Sequence, residues 1–119
     1  MNVVTWFQLP AADLERAMRF YSRVLGARFH RKEAADGVHA FFDRGESGVG
    51  GELVSGPGWS PSQSGALVFL YAPAGVDAAV AEVANAGGTV VVPNTSIDPF
   101  GHIAIVMDTE GNRVGLHGK

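Results

Sequence analysis

The hydrophobic positions along this chain switch between two periods. Short apolar or alternating runs, typical of strands, are interrupted by two longer stretches with apolar residues at helical spacing. The predicted helices cover residues 14–26 and 78–86, and the predicted strands cover residues 3–9, 27–31, 38–43, 49–54, 66–71, 89–92, 103–107 and 113–117. The order is therefore strand, helix and three strands, and it occurs twice.

The ends of both helices carry residues that favour helix termini. Asp13 and Asp77 precede the two apolar-periodic stretches, and we expect each to cap its helix, because an aspartate oxygen can accept a hydrogen bond from a free N–H of the first turn. Gly26 and the pair Gly87-Gly88 predict the C-terminal ends, since glycine readily adopts the left-handed conformation found there.

The repeated order predicts an α+β fold of two βαβββ modules, in which curved mixed sheets surround a cup and the helices lie on the outer face. We expect a single domain over residues 1–119, with module one at about 1–55, a linker at about 56–64 and module two at about 65–119. The glycine-rich segment 45–58 has the composition of a mobile loop or linker, and whether it covers the cup stays open.

Strand alternation sorts side chains between the helix-covered face and the cup. In residues 103–107 it favours the isoleucines and Met107 on the helix side, with His102 opposite. The side chains predicted to face the cup are Trp6, Gln8, Glu52, His102, Arg113 and His117. An aromatic wall with a few polar groups is typical of a small-molecule site. A solvated face, or one covered by a partner subunit, is the alternative.

Composition excludes several classes of function. The net charge is −3 and no Lys/Arg run occurs, which argues against nucleic acid as a partner. Cysteine is absent, which excludes disulfides, thiolate metal sites and a cysteine nucleophile. No apolar run reaches a membrane-spanning length, and the first residues lack the pattern of a signal peptide. We therefore expect a cytoplasmic protein.

Two segments resemble one known family. WFQLPAADLERAMRFYSRVLG (6–26) and GHIAIVMDTEGNRVGLH (101–117) are similar to the opening and closing segments of the vicinal oxygen chelate superfamily, which includes glyoxalase I, bleomycin-resistance proteins and extradiol dioxygenases. The resemblance spans nearly the whole chain and implies the duplicated βαβββ fold. It also implies a homodimer with sites built across modules.

The resemblance bears on cofactors as well. Metal-dependent members hold ligands at four cup-facing positions, which correspond here to Trp6, Glu52, Ala66 and Gly115. Because only Glu52 has a side chain typical of a metal ligand, we expect the usual divalent-metal site to be lost and no cofactor to be needed. A rebuilt site from Glu52, His102 and His117 is the alternative.

The resemblance and the residues at these four positions leave three hypotheses for the function. The first is metal-independent binding of a small organic molecule in the cup, as in bleomycin resistance. The second is a lyase or isomerase related to glyoxalase I, using a rebuilt metal site or Glu52 with a histidine; Glu52 and His102 are the catalytic candidates. The third is an interaction or regulatory subunit with a vestigial cavity. His30 and His39 are interpreted as ordinary strand residues.

Overall fold

A computed structural model describes residues 2–43 and 48–119. Within these residues, eight strands and two helices follow the predicted order. The elements are β1 (Trp6–Pro10), α1 (Leu14–Leu25), β2 (Phe29–Ala34), β3 (Gly37–Phe42), β4 (Gly50–Ser55), β5 (Phe69–Tyr71), α2 (Val76–Val83), β6 (Thr89–Ser96), β7 (His102–Met107) and β8 (Arg113–Gly118).

The strands form two four-stranded sheets of the same topology. Sheet one has the order β1-β4-β3-β2 and sheet two the order β5-β8-β7-β6. In each sheet the first and last strands of the module pair in parallel and the other neighbours pair antiparallel. The predicted α+β fold of two βαβββ modules is therefore confirmed.

A single hydrophobic core joins the helices to one face of both sheets. The largest fully buried apolar and aromatic side chains come from both modules: Tyr21, Phe20, Leu53, Leu116, Val54, Val83, Val106 and Val114. The other face of each sheet is open and carries exposed aromatic residues, Trp6 on sheet one and Phe69 and Tyr71 on sheet two. The open faces are thus the surfaces available to a ligand or a second chain.

The helix ends confirm one capping prediction and correct the other. Asp13 caps α1, because its Oδ1 accepts a hydrogen bond from the Arg16 N–H at 3.1 Å, and Gly26 ends that helix with φ 67°. Asp77 does not cap α2. Gly75 holds the cap position, Asp77 lies in the first turn, and its carboxylate accepts instead from the Asn94 amide at 2.6 Å. The helix ends at Val83, ahead of Gly87-Gly88.

The predicted faces of β7 were inverted. Ala104 and Val106 are fully buried in the core, whereas Ile103 and Ile105 lie opposite His117 and Gly115 on the open face. The prediction failed because both faces of this strand carry apolar side chains, so alternation alone does not identify the core face. His102 therefore does not share the open face with His117.

In the glycine-rich segment 45–58 the strand predicted over 49–54 is confirmed, and the interpretation of that part as a mobile loop is wrong. Residues 45–47 lie outside the described part of the chain, but Gly50–Ser55 is β4, which is bordered by β1 and β3 in sheet one and is buried through Val54. This part of the segment is thus a buried strand of the sheet.

In the described residues no helix is long and apolar enough to cross a membrane.

The β7–β8 turn connects module two to α1. Asp108 is buried, and its carboxylate accepts hydrogen bonds from the Tyr21 hydroxyl at 2.6 Å and from the Asn112 amide at 3.1 Å. Burial, followed by the nearby Asp108 charge, raises the pKa of Tyr21 well above its usual value, so its hydroxyl remains a donor. The Asn112 amide also donates to the Pro10 carbonyl at 2.6 Å. These residues link the two modules through buried polar contacts.

Glu110 in the same turn binds the start of α1. Its carboxylate accepts from the Asp13 N–H at 2.7 Å and forms a two-pronged ion pair with Arg16, at 2.7 and 3.1 Å. Burial opposes ionisation, but the bonds from Arg16 and Asp13 outweigh it and lower the pKa of Glu110. A negative charge is also favourable at a helix N-terminus. The residues of this turn therefore join the two modules.

We predict that Tyr21→Phe lowers the free energy of unfolding by about 1.5–3 kcal/mol, because a buried carboxylate loses one of its donors. Urea unfolding monitored by circular dichroism measures the change. Tyr71→Phe is the matched control, since Tyr71 is 66% exposed and the same substitution there should change stability by less than about 0.5 kcal/mol. Equal effects of the two substitutions would contradict the role assigned to Tyr21.

Candidate functional site

An exposed tryptophan bonded to a buried carboxylate marks the open face of sheet one. Trp6 on β1 is 43% exposed, and its indole Nε1 donates a hydrogen bond to Glu52 Oε2 at 2.8 Å. Glu52 on β4 is only 4% exposed. The prediction that Trp6, Gln8 and Glu52 lie on one face agrees with the register, in which Gln8 pairs with Glu52.

His39 on β3 completes this site. Its Nδ1 contacts Glu52 Oε1, and its Nε2 lies 2.9 Å from Asp36 Oδ1 in the turn between β2 and β3. The bonds to Asp36 and then to Glu52 raise the pKa of His39, because both carboxylates favour the charged imidazolium. We call Asp36, His39, Glu52 and Trp6 the tryptophan cluster.

Sequence reasoning treated His39 as an ordinary strand residue. Its carboxylate partners lie 3 and 13 positions away along the chain. The register places His39 on the same face as Glu52, because β3 and β4 pair His39 with Val54 and Phe41 with Glu52. The usable signal was therefore the β3–β4 register, which depends on pairing that the linear pattern does not supply.

Aromatic rings extend the surface around Trp6. Phe41 lies between Trp6 and His39, with ring centroids 6.0 Å from the indole and 6.1 Å from the imidazole. The imidazole is nearly parallel to the Phe41 ring, at 13°. The cluster thus combines flat apolar surface with fixed polar atoms, an arrangement suited to stacking a planar molecule.

The cluster also has a defined charge arrangement. Both Glu52 oxygens and both His39 nitrogens have partners, so a protonated His39 bridges two carboxylates. The imidazolium balances the buried Glu52 charge, which is costly to bury alone. Glu52 is positioned as a fixed acceptor, and a histidine contacts it directly, which is the elementary requirement for moving a proton between them.

The open face of sheet two is apolar at its centre. Gly115 on β8 lies under Phe69, where an added Cβ would be 2.2 Å from the ring. Ile105 pairs with Gly115 across the β7–β8 ladder, and Tyr71 pairs with His117 across the β5–β8 ladder. Glycine at this position therefore leaves room for the aromatic ring of β5.

The remaining predicted site residues fall into two separate clefts. Gln8 and Arg113 line a cleft of about 180 Å³. His102 and His117 line another of about 500 Å³ at the far end of sheet two, where His102 Nδ1 lies 2.9 Å from Asn94 Oδ1 and His117 Nε2 lies 2.7 Å from the Phe100 carbonyl. The six candidates thus form three groups, and Glu52 does not join the two histidines.

The residues at the four positions marked by the resemblance do not fit a metal ion. Trp6 and Gly115 offer no metal-binding atom, and Ala66 precedes β5 with a methyl side chain. The two carboxylate oxygens of Glu52 are already in contact with Trp6 Nε1 and His39 Nδ1. Within residues 2–43 and 48–119, no group of three or more His, Cys, Asp or Glu side chains is arranged to hold a metal ion.

Comparison with known proteins identifies relatives of the whole chain. A family model described as the Glyoxalase/Bleomycin resistance protein/Dioxygenase superfamily matches residues 3–116. A search of curated proteins finds no match.

Solved structures show the same fold at low identity. A glyoxalase/bleomycin resistance protein from a Streptomyces species is 25% identical, with 97% of this chain and 99% of that chain covered and a TM-score of 0.67. One from Albidiferax ferrireducens is 19% identical, with 97% of each chain covered and a TM-score of 0.74. A glyoxalase I mutant from Zea mays is 21% identical with a TM-score of 0.72, and covers 94% of this chain but 45% of its own.

We predict that the stability contributed by His39 depends on pH. Its folded pKa lies above the ordinary 6.5, so the stabilisation is fully present below about pH 6.5 and is lost as pH rises through the raised value. Urea unfolding of the wild-type protein and His39→Gln, from about pH 5.5 to about pH 8.5, should show their difference shrinking with pH.

The control for this prediction is His30→Gln. His30 pairs with Phe41 across the β2–β3 ladder and so lies on the same sheet face as His39. Its substitution removes a histidine from that face but keeps the contacts of His39 with Asp36 and Glu52, so the pH dependence assigned to His39 should persist in this variant. A stability difference between wild type and His39→Gln that is constant with pH would show that His39 does not bridge the carboxylates in its charged form.

Proposed function

Because the chain belongs to the glyoxalase/bleomycin resistance protein/dioxygenase superfamily, we propose that it binds a small organic molecule on the open face around Trp6. The observation that carries this proposal is an indole that is 43% exposed and yet held by a buried carboxylate. An orienting hydrogen bond on an exposed aromatic ring favours a role in recognition, since it reduces the conformational freedom that a ligand would otherwise have to restrict.

The proposed ligand is planar or aromatic. Trp6, Phe41 and the His39 ring supply flat surface, and stacked or edge-on aromatic contacts are worth about 0.5–1.5 kcal/mol beyond the area they bury. Polar groups of the ligand would meet Gln8 and the exposed Asp36 carboxylate at the edge of this surface. Binding alone, without turnover, is sufficient for a protective role.

The proposed binding is independent of metal. Only one of the four positions that hold ligands in metal-dependent members carries a carboxylate, and its oxygens are bonded to Trp6 and His39. Metal analysis of the purified protein tests this part. One tightly bound equivalent of nickel, zinc, iron or manganese per chain would overturn it.

We further propose that two copies build the cup in the cytoplasm. Sheet two presents Phe69 and Tyr71 as exposed aromatic residues, and Ile103 and Ile105 lie on the same face. A second copy placing this apolar face near Trp6 would enclose the ligand more fully than one open sheet does. Light scattering during size-exclusion chromatography should give the mass of two chains, and a monomer at all concentrations would contradict the pairing.

A second candidate function is a lyase or isomerase of the glyoxalase type. The contact between His39 and Glu52 favours it, because a carboxylate beside a histidine can accept and pass on a proton. If turnover of any substrate is found, Glu52→Gln should abolish it. Unchanged turnover in that variant would remove Glu52 as the base.

We predict that Trp6→Ala weakens the binding of a planar aromatic ligand by about tenfold or more, because the stacking surface is lost. A library of such compounds is screened by quenching of tryptophan fluorescence in a Trp59→Phe background, where Trp6 is the only tryptophan left. Affinities of the hits are then compared by calorimetry in the wild-type protein, Trp59→Phe and Trp6→Ala. Unchanged affinity in Trp6→Ala would place the site elsewhere.

A further inference from the structure

A small cleft with a mixed apolar and polar lining adjoins the Trp6 surface where β1 meets the start of β8. It has a volume of about 180 Å³, and its polar lining residues are Gln8, Asn112, Arg113, Ser60, Ser62 and Ser64. The loop that carries the serines is attached to β8, because the Ser62 N–H donates to Asn112 Oδ1 at 3.2 Å and the Arg113 N–H donates to the Ser62 carbonyl at 3.3 Å. Hydrogen bonds from the serine loop to Asn112 and Arg113 therefore fix the walls of the cleft.

Arg113 has no carboxylate partner in the described residues. The two carboxylates of the adjacent turn bind other groups, since Asp108 accepts from Tyr21 and Asn112, and Glu110 pairs with Arg16. Arg113 is half-buried and lines the cleft. A guanidinium that is partly removed from water without a counterion is unfavourable, so this position favours an anion from outside the chain.

The size of the cleft limits what it can hold. Sites that enclose a drug-sized molecule are typically about 300–1,000 Å³, and a cleft of about 180 Å³ is smaller than that range. It has room for a compact charged group and its hydrogen bonds. The rest of any ligand must therefore extend out of the cleft along the neighbouring surface.

Gln8 connects the cleft to the tryptophan cluster. Gln8 lines the cleft, and it follows Trp6 by two residues on β1, so both side chains point to the same face of the sheet. Two residues along a strand span about 7 Å. A single ligand can thus stack on Trp6 at one end and reach the cleft at the other.

We propose that the ligand is an aromatic acid, whose ring stacks on Trp6 and whose carboxylate enters the cleft and binds Arg113. This inference rests on the proposed function and adds the charge of the ligand and the residue that selects for it. Arg113 presents the forked donors that match a carboxylate, and the serine hydroxyls and the Gln8 amide supply further donors. The role of Arg113 is to discriminate between an acid and its uncharged analogue.

The test uses matched pairs of probes in the Trp59→Phe background. Naphthoate, naphthylacetate and naphthylpropanoate differ in the distance from ring to carboxylate, and each is compared with its uncharged primary amide by quenching of Trp6. At least one acid should bind about tenfold more tightly than its amide. Arg113→Gln should remove this preference, and Arg113→Lys should restore it in part because lysine keeps the charge but loses the fork.

Lys32→Gln is the control for net charge. Lys32 pairs with His39 across the β2–β3 ladder, so this substitution removes one positive charge from the same face of sheet one. It should leave the preference for the acid unchanged. Trp6→Ala should weaken binding of the acid and of the amide alike, as measured by competition calorimetry.

The outcomes separate this inference from the proposed function. Equal affinity for acid and amide, with both weakened by Trp6→Ala, would overturn the role of Arg113 and leave aromatic binding at Trp6 intact. A preference for the acid that persists in Arg113→Gln would also overturn it. If no naphthyl acid binds, the inference fails, and the wider compound library decides separately whether Trp6 binds any ligand.

Discussion

The buried carboxylate of Asp108 is the contact on which the arrangement of the two modules depends. It lies in the β7–β8 turn of module two. It accepts a hydrogen bond from the hydroxyl of Tyr21, which lies on the helix of module one. Asn112 in the same turn extends this contact to the carbonyl of Pro10 at the end of β1. Both Asp108 oxygens also accept hydrogen bonds within the turn, from the Glu110 and Asn112 N–H groups and from the Asn112 amide. Because a hydrogen bond to a buried carboxylate is costly to lose, displacing one module against the other would remove the Tyr21 donor at a cost in stability. The shared apolar core sets the overall attraction, and Asp108 specifies the relative position of the modules.

That position brings the surfaces relevant to binding next to each other. Asn112 anchors Ser62 on one side and Pro10 on the other, so the cleft lined by Gln8 and Arg113 lies where the two modules meet. Glu110 is paired with Arg16, which leaves Arg113 without a carboxylate partner in the described residues. Charge pairing at the module boundary thus accounts for an available guanidinium beside the exposed Trp6. The tryptophan cluster follows the opposite pattern, because there Glu52 is matched by His39 within one sheet.

Several features of the fold could be predicted from local patterns. The helix capped by Asp13 and ended by Gly26 was predicted because its signals act within one turn of the chain. The cap of the second helix was assigned to Asp77 and is Gly75, since tertiary contact with Asn94 engages the aspartate instead. In β7, Ile103 and Ile105 carry more apolar surface than Ala104, yet the smaller residue is in the core, because it lies on the face of the sheet that the helices cover. The apolar surface of a side chain can be read from the sequence. Its burial depends on which other elements of the fold pack against it, so the core face of β7 could not be predicted from the sequence.

The sequence by itself determined the order of the elements, the duplicated module and the side of β1 on which Trp6 and Gln8 lie. Those properties follow from periodicity and from short-range signals, which act between residues close in the chain. Only the tertiary structure decided that His39 meets Glu52, that Gln8 and Arg113 share a cleft, and that His102 and His117 lie apart from both. Such contacts depend on strand register and on the packing of one module against the other, where a shift of one residue reverses the face of every side chain.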